Sequence, residues 1–314
     1  MLLAPVGERG FLYQLTVRST SDKPLSSTFG LEGCWASAWH CVNEDKEIDG
    51  ARRCYTSLWN DSLIFDMRCG LPLFAFAPMM DQPCSSTFQE TDAGIVYRLA
   101  HACTLEPGEA VTVTFYWGVG FEEVAAATSA KEMLRQGWQH ELQVTTDWLD
   151  ARRWPIPDAQ LERLYNTNLF FCLFYSAGIT LDTEELVLVT SRSPRYYVSA
   201  AYWDRDSLLW SFPTVVDADP ALARRMLDYV FGRQRRNLGV HSRYIDGTVL
   251  EPGFELDELM APGAGPGALC GCHRRPGLSG GQRDPRRAYG YSAHLAHQTA
   301  QVDPTVRDLP SAHR

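Results

Sequence analysis

The sequence predicts an α+β protein in two parts, an antiparallel β-sandwich over residues 1–126 followed by a helical domain over residues 158–262. Two observations predict this division. In the first part, apolar and polar residues alternate in short runs that end in turn residues, which is the pattern of half-buried strands. In the second part, apolar residues recur every three to four positions behind helix-capping residues. A chain of 314 residues is long enough to fill both cores.

Three stretches of the first part carry the strand pattern most clearly. They are FLYQLTVRSTSD (11–22), GIVYRLAHACTLEPGE (94–109) and AVTVTFYWGVGF (110–121). The first ends in turn residues, the second runs into a Pro-Gly turn, and the third is rich in β-branched and aromatic residues, which favour strands. Short strands separated by turn signals are typical of an antiparallel sandwich.

The residues between the two parts predict a linker helix over 127–157. Residues 127–153 are rich in helix formers and polar on most sides, as a linker helix would be. The stretch WPIP, 154–157, ends this helix because proline removes a backbone donor and clashes with the preceding turn.

The helical part alternates between two kinds of helix. Asp158 is placed to cap an amphipathic helix that ends near Gly178, and Asp219, followed by Pro220, is placed to cap another. The apolar positions expected to form the stripe of the first helix are Leu161, Leu164, Tyr165, Leu169 and Cys172. Between the two helices, the stretch RDSLLWSFPTVV is apolar on all sides. This alternation predicts helical hairpins around an axis, with buried inner helices and half-exposed outer ones.

Three charged residues interrupt the most apolar stretch, YYVSAAYWDRDSLLWSF (196–212): Asp204, Arg205 and Asp206. Isolated charges are not buried without partners. Carboxylates and a guanidinium bind neighbouring hydroxyls of a sugar, and Trp203 offers a flat face to the apolar side of the ring. The alternative interpretation is a buried Asp–Arg pair that fixes a helix to the core.

A second acid-rich stretch, LEPGFELDELM (250–260), contains Glu251 and Glu255 as well as the adjacent pair Asp257 and Glu258. If both members of the pair face one pocket, each raises the proton affinity of the other, as a general acid requires. Asp257 also stands in the place that corresponds to Asp206 in the preceding hairpin. The alternative is an acid-rich helix start, which the helix dipole stabilises without any catalytic role.

The stretch GVHSRYIDG, between the two motifs, supplies His241, Arg243 and Tyr244 as further candidate sugar contacts. Its glycines and polar residues predict a loop or hairpin. The alternative interpretation is an ordinary loop without a binding role.

Residues 263–314 depart from the helical pattern. They contain no Ile, Phe, Trp, Met, Lys or Glu, and they hold 8 of the 24 glycines and 4 of the 8 histidines. The composition predicts either a disordered tail or the product of a shifted reading frame, and no structure is expected there.

Charge and cysteine content limit the partners. A net charge of -9 argues against nucleic acid and anionic membranes, and no apolar run is long enough to span a bilayer. Nine cysteines without paired zinc-site spacings predict free, mostly buried thiols and no metal. We expect a cytoplasmic protein without metal or organic cofactor.

The two motifs together resemble those of the six-hairpin glycosidase superfamily, which includes glucoamylase-like and glycogen-debranching enzymes. The matching segments are TSRSPRYYVSAAYWDRDSLLWSFP and GVHSRYIDGTVLEPGFELDELMAP. The resemblance implies a β-sandwich, a linker helix and an (α/α)6 barrel. It implies that Arg205 and Asp206 bind the terminal sugar, that Trp203 lines the subsite and that Asp257, or else Glu258, is the general acid.

The resemblance also implies what the chain lacks. In these families an inverting mechanism uses a base from the second half of the barrel, and no glutamate follows Glu258. We therefore expect residues 158–262 to form part of a barrel, and the chain to be an inactive N-terminal fragment of an exo-acting α-glycoside hydrolase. Three alternatives stay open: a glycoside phosphorylase of the same layout, a polysaccharide lyase using Tyr244, His241 and Arg243, and a non-catalytic carbohydrate-binding protein.

Overall fold

A computed structural model describes most of the chain in two compact units, Met1–Ala151 and Arg152–Arg314. The described residues are 1–36, 38–40, 45–47, 51–58, 60–68, 74–180, 183–192 and 201–267.

Antiparallel strands build the first unit. The strands are β1 (Leu2–Leu3), β2 (Gly10–Arg18), β3 (Leu25–Ala36), β4 (Ala38–His40), β5 (Asp45–Glu47), β6 (Ala51–Thr56), β7 (Leu63–Arg68), β8 (Phe74–Met80), β9 (Ser85–Thr91), β10 (Gly94–Leu105) and β11 (Ala110–Gly120). A six-stranded sheet has the order β1-β2-β11-β8-β7-β6, a three-stranded sheet has the order β3-β10-β9, and β4 pairs with β5. The antiparallel, β-rich N-terminal part predicted from the sequence is confirmed.

Aromatic rings from both sheets form the core of this unit. Trp35 of β3 and Tyr97 of β10 each contact Phe65 of β7 edge to face, at ring distances of 5.5 and 4.9 Å. Tyr97 also contacts Trp117 of β11 at 5.8 Å. Such edge-to-face contacts add stability beyond the area they bury. Because the contacting rings come from both sheets, the two sheets pack face to face as a sandwich.

Two helices occupy the stretch for which the sequence predicts one linker helix. They are α1 (Glu123–Gln136) and α2 (Trp138–Asp150), and they meet at Gly137, whose φ of +84° favours glycine. Helix α1 buries its alanine face against the six-stranded sheet. The close packing needs a glycine in the sheet too, because a Cβ at Gly118 would overlap the backbone of Ala126 and Ala130. The stretch predicted as one linker helix thus forms two helices, and α1 packs on the sheet.

Helices and two small hairpins build the second unit. Its elements are α3 (Ala159–Ser176), β12 (Ala177–Ile179), β13 (Leu186–Leu188), a π-helix (Asp206–Ser211), α4 (Phe212–Ala218), α5 (Pro220–Arg233), β14 (Val240–Arg243), β15 (Val249–Phe254) and α6 (Leu256–Met260). Both predicted caps are confirmed. The Asp158 carboxylate accepts from two backbone amides of α3 at 2.9 Å, and that of Asp219 accepts from two amides of α5.

The apolar surfaces of this unit differ from the prediction in two places. Leu161 and Leu164, expected on the buried stripe of α3, are 51% and 61% exposed. The stretch RDSLLWSFPTVV, expected to be buried on all sides, divides into the π-helix and α4 and leaves Trp210 67% exposed. Leu161 and Leu164 line an open cavity between α3 and α4 and are only partly covered by α4. The period of the apolar residues therefore predicted the helix but not which of its faces is covered.

The remaining sequence predictions concern the C-terminal tail, the cysteines and membrane-spanning segments. Residues 264–267 continue in helical conformation after the 3₁₀ turn Ala261–Gly263, and the rest of the tail lies outside the described residues. Cys34 and Cys84 are exposed free thiols, contrary to the expectation of mostly buried ones. Cys270 and Cys272 lie outside the described residues. No described helix has the length and apolar character to cross a membrane.

Candidate functional site

Backbone contacts in the second unit bring the two sequence motifs together. The backbones of Tyr202 and Arg243 exchange hydrogen bonds of 2.8 and 3.0 Å, which fix the residues before the π-helix to strand β14. The backbone N–H of Arg205 donates to Glu258 Oε2 at 3.2 Å, which fixes the start of the π-helix to α6. A π-helix is rare and often marks a functional site. The charged residues of both motifs therefore meet at its first turn.

Arg205 lies at the centre of a half-exposed ionic cluster. Its guanidinium donates to Asp257 Oδ2 at 2.7 Å and to Asp206 Oδ2 at 3.3 Å, and its Nη1 lies 3.7 Å from Glu255 Oε2. The side chain of Arg205 is 33% exposed and that of Asp257 is 50% exposed. The hydrogen bond from Arg205 holds the pKa of Asp257 below its usual range. These are groups that a ligand arriving from solvent can reach.

Glu258, next to Asp257, has the opposite environment. Its side chain is fully buried, and burial raises its pKa to about 7, with a smaller contribution from the charge of Asp204. Its Oε1 lies 4.0 Å from Arg205 Nε and has no hydrogen-bond partner in the described part of the chain. Near neutral pH this carboxyl therefore retains its proton far more readily than Asp257 does.

Asp204 and Arg243, both predicted as sugar contacts, bind each other in the interior. Both side chains are fully buried, and Arg243 Nη2 donates to Asp204 Oδ2. Arg243 Nη1 donates to the carbonyl of Gln234 at 2.8 Å, and its guanidinium lies 5.0 Å from the ring centre of Tyr202. Burial raises the pKa of Asp204, and Arg243 opposes that shift. This geometry favours the alternative interpretation, a pair that fixes the helix start to the core.

The remaining predicted contacts divide between the cluster and the surface. His241 Nδ1 lies 2.6 Å from Glu255 Oε1, and the ring of His241 contacts Trp203 edge to face at 5.9 Å. Trp203 is only 5% exposed, so its indole supports the cluster more than it faces solvent. Tyr244 is 51% exposed in the turn between β14 and β15, and no described contact joins its side chain to the cluster.

Glu251 and Glu255 belong to the cluster, although no role was predicted for either residue from the sequence. Glu251 Oε2 accepts from Ser242 Oγ at 3.0 Å and lies 3.3 Å from His241 Nε2. The register of β14 and β15 is irregular between Val240 and Arg243, so a simple alternating pattern does not identify them. Among the described residues no group of His, Cys, Asp and Glu is arranged to hold a metal ion.

Comparisons with known proteins show likeness in structure alone. No protein-family model matches the sequence, and no curated protein matches it. A human-microbiome protein assigned as a kojibiose phosphorylase superposes with a TM-score of 0.55 at 11% identity, over 86% of this chain and 38% of that chain. A bacterial glucoamylase in complex with acarbose gives a TM-score of 0.47 at 11% identity, over 96% of this chain and 54% of that chain. The chain thus spans 38% and 54% of the lengths of these two proteins.

Proposed function

We propose that this chain, which shares its fold with part of a protein assigned as a kojibiose phosphorylase, carries the sugar-binding side of a glycoside-cleaving site. One observation carries the proposal. A half-exposed guanidinium, Arg205, is held by the carboxylates of Asp206 and Asp257, directly in front of a buried carboxyl, Glu258. This arrangement combines hydroxyl recognition with a proton source.

Arg205 and Asp206 are assigned to the hydroxyls of the terminal sugar. The guanidinium presents donors to adjacent hydroxyls, and the Asp206 carboxylate accepts from them. Asp206 is 19% exposed and sits at the first position of the π-helix, so its direction is fixed by the backbone. The contacts with Asp257 and Asp206 use two of the five N–H donors of Arg205, so further donors are left for sugar hydroxyls.

Asp257 and Glu258 are the candidates for the general acid that protonates the leaving oxygen. The acid must carry a proton at the working pH. Glu258, with a pKa of about 7, meets this requirement, and Asp257, with its lowered pKa, does not. Asp257 is the more exposed of the two, at 50%. We assign the acid to Glu258, which departs from the position Asp257 implied by the sequence resemblance, and Asp257 to the orientation of Arg205.

We propose inverting, exo-acting chemistry for the intact site. Inversion requires a second carboxylate on the opposite face of the sugar with space for a water molecule. Asp206, Glu255, Asp257 and Glu258 all lie around Arg205, and none of them is assigned as this base. We propose that the helical hairpins belong to an (α/α)6 arrangement in which that opposite face is supplied by helices beyond those described.

Charge favours a neutral sugar over the anionic substrate that a polysaccharide lyase takes. Three carboxylates, Asp206, Asp257 and Glu255, lie around the guanidinium of Arg205, and a fourth, Glu251, lies beside His241, so the site repels uronates. A phosphorylase is the second candidate, because the fold likeness is to a protein assigned as one. It requires a phosphate site away from these carboxylates.

The test measures sugar binding and turnover on the same samples. Calorimetry with maltose and kojibiose is expected to show binding that Arg205→Met abolishes and that Glu185→Gln, at an exposed pair with Arg233, leaves unchanged. Turnover of the same sugars with and without phosphate separates hydrolysis from phosphorolysis. Unchanged sugar affinity in the Arg205→Met variant contradicts the proposed site.

A matched pair of variants separates the acid from a binding residue. In a protein that also supplies the base, Glu258→Gln is expected to lower turnover by at least about 100-fold with little change in sugar affinity, whereas this chain by itself is expected to bind sugar without turnover. Asp257→Asn then changes affinity more than turnover. A non-catalytic binding protein keeps its sugar affinity in both variants and shows no turnover in any of them.

A further inference from the structure

Trp210 is a large apolar side chain on the surface beside the candidate site. Its side chain is 67% exposed. In the part of the chain that the structure describes, no other ring stacks on its indole. A solvent-facing indole leaves much apolar surface in water, and an apolar surface bordered by polar groups is typical of ligand-binding grooves. The position of Trp210 relative to Arg205 and Asp206 therefore decides what it can bind.

The π-helix places Trp210 on the same face as the two residues proposed to bind sugar. The backbone N–H of Phe212 donates to the carbonyl of Ser207, the five-residue step that defines this type of helix. Arg205 and Trp210 are five positions apart, which is one π-helical turn, and Asp206 is four positions from Trp210. One turn of helix advances about 5 Å along its axis. The indole thus lies one turn from the guanidinium, on the same side of the helix.

The burial of the neighbouring residues agrees with this geometry. Ser207 is 0% exposed and Leu208 is 1% exposed, so they hold the other side of the helix against the unit. Asp206 is 19% exposed, and Leu209 is 41% exposed. At these positions, the side that is open to solvent is the side that carries the charged cluster. The apolar surface of the indole therefore continues the charged surface of the site.

We propose that Trp210 stacks on a sugar ring and forms a second subsite beside the one assigned to Arg205 and Asp206. The C–H groups of a pyranose form an apolar face that fits a flat aromatic ring, whereas its hydroxyls need donors and acceptors. Rings joined by a glycosidic bond follow one another at a spacing comparable with one helical turn. A disaccharide therefore reaches both groups, with its terminal unit on Arg205 and its next unit on Trp210.

The ligand of the two subsites is thus a neutral oligosaccharide of at least two units. The inference rests on the proposed role of Arg205 in sugar binding. It adds that the site distinguishes a disaccharide from a monosaccharide, and that the distinction comes from the indole.

Calorimetry with glucose, maltose and maltotriose tests the second subsite. Glucose occupies the first subsite alone, so Trp210→Ala is expected to leave its affinity unchanged. The same variant is expected to weaken the binding of maltose and maltotriose about tenfold, which is the size of one lost ring contact. Trp210→Phe keeps a flat ring and is expected to retain most of the affinity for maltose.

Leu209→Ala is the matched control. Leu209 is the exposed apolar neighbour of Trp210 and has no flat ring, so this variant is expected to bind maltose like the unmodified chain. If the exposed face packs instead against a second copy of the chain, Leu209→Ala and Trp210→Ala weaken self-association alike in sedimentation, and neither changes the preference for maltose over glucose. That result overturns the proposal.

Fluorine NMR of the chain labelled with fluorotryptophan detects the contact directly. The resonance that is missing from the Trp210→Phe variant belongs to Trp210. It is expected to shift when maltose is added and to shift little with glucose. An unchanged resonance at saturating maltose overturns the proposal, even where the calorimetric affinities differ.

Arg205→Met separates a failure of this inference from a failure of the proposed function. If this variant loses all sugar binding while Trp210→Ala keeps its maltose affinity, the second subsite is overturned and the proposed function stands. If Arg205→Met binds like the unmodified chain while Trp210→Ala binds maltose more weakly, the proposed function fails and stacking by Trp210 stands. Absence of binding for all three sugars overturns both.

Discussion

Asp204 and Arg205 are adjacent in sequence, yet they form ion pairs of opposite kinds. Asp204 pairs with Arg243, and both side chains are 0% exposed. Arg205 pairs with Asp257, and these side chains are 33% and 50% exposed. A buried pair is costly to break because the remaining charge is left without a partner in a medium of low polarity. An exposed pair is screened by water and is worth little to stability.

The difference teaches that adjacency in sequence does not place two charges in one pocket. Asp204 and Arg205 stand at the entry to the π-helix, where successive side chains leave the backbone in different directions. The hypothesis that they fan into a single sugar pocket is not supported for Asp204. The buried pair fixes the helix start, and the open pair next to it remains available to a ligand.

The largest expected effect comes from breaking the buried pair. Arg243→Met leaves the Asp204 carboxylate alone in the core, and we expect a loss of about 3–5 kcal/mol in the free energy of unfolding. Urea unfolding followed by circular dichroism measures it. In the double variant Asp204→Leu/Arg243→Met, most of the lost stability is expected to be regained, because no unpaired charge is left in the core. A single variant within about 1 kcal/mol of the unmodified chain contradicts the structural role of the pair.

Glu258, which is buried next to Asp257, is expected to make the free energy of unfolding depend on pH. Its pKa is raised to about 7 in the folded chain, so between its ordinary value and about 7 the folded state holds a proton that the unfolded state has lost. The free energy of unfolding therefore falls as pH rises through this window. Urea unfolding at several values from pH 4.5 to 7.5 is expected to show a flatter profile for Glu258→Gln. Parallel profiles for the two proteins argue against the raised pKa.

A third ion pair, of intermediate burial, tests whether the loss of stability on breaking a pair becomes smaller as the pair becomes more exposed. Arg152 and Asp219 form a hydrogen bond of 2.6 Å with side chains 22% and 17% exposed, and Asp219 also caps α5. Asp219→Ala loses both interactions, and we expect about 2 kcal/mol of destabilisation. Asp158→Ala, which loses a similar cap on α3, is the matched control at about 1 kcal/mol. Equal losses in the two variants would show that the ion pair contributes nothing.

The smallest effect on stability is expected at the exposed pair of Arg205 and Asp257. Asp257→Asn removes a charge from a half-exposed, solvent-screened pair, so the free energy of unfolding is expected to change by less than about 1 kcal/mol. Thermal unfolding beside the Arg243→Met variant measures the contrast directly. A loss as large as that of the buried pair would mean that Arg205 and Asp257 serve the fold and not a ligand.

Local sequence signals predicted the strands and helices well where the period was strong. The alternating stretches 94–109 and 110–121 became β10 and β11, and the caps Asp158 and Asp219 start α3 and α5. The single linker helix was wrong because Gly137 divides it, and its alanine face packs on the sheet. Helix-forming composition does not reveal that a neighbouring sheet exists to cover a small-residue face.

The candidate site was only partly accessible to sequence reasoning. The two motifs and their charged residues were identified, and the structure brings Arg205, Asp206, Asp257 and Glu258 together. The sequence did not separate Asp204 and Arg243 from this group, and it gave Glu251 and Glu255 no specific role. Which charge pairs with which depends on contacts between residues 39 and 52 positions apart, and local patterns contain no information on those distances.

Local patterns were sufficient to predict a strand-rich part followed by a helical part, because hydrophobic periodicity and capping residues act within a few neighbouring positions. Which charges are buried and which stay exposed depends on tertiary contacts. Burial depends on the whole surroundings of a side chain, and it determines whether a charge stabilises the fold or stays available to bind. For that reason Asp204 lies in the core, while Arg205, the next residue, is partly exposed in the candidate site.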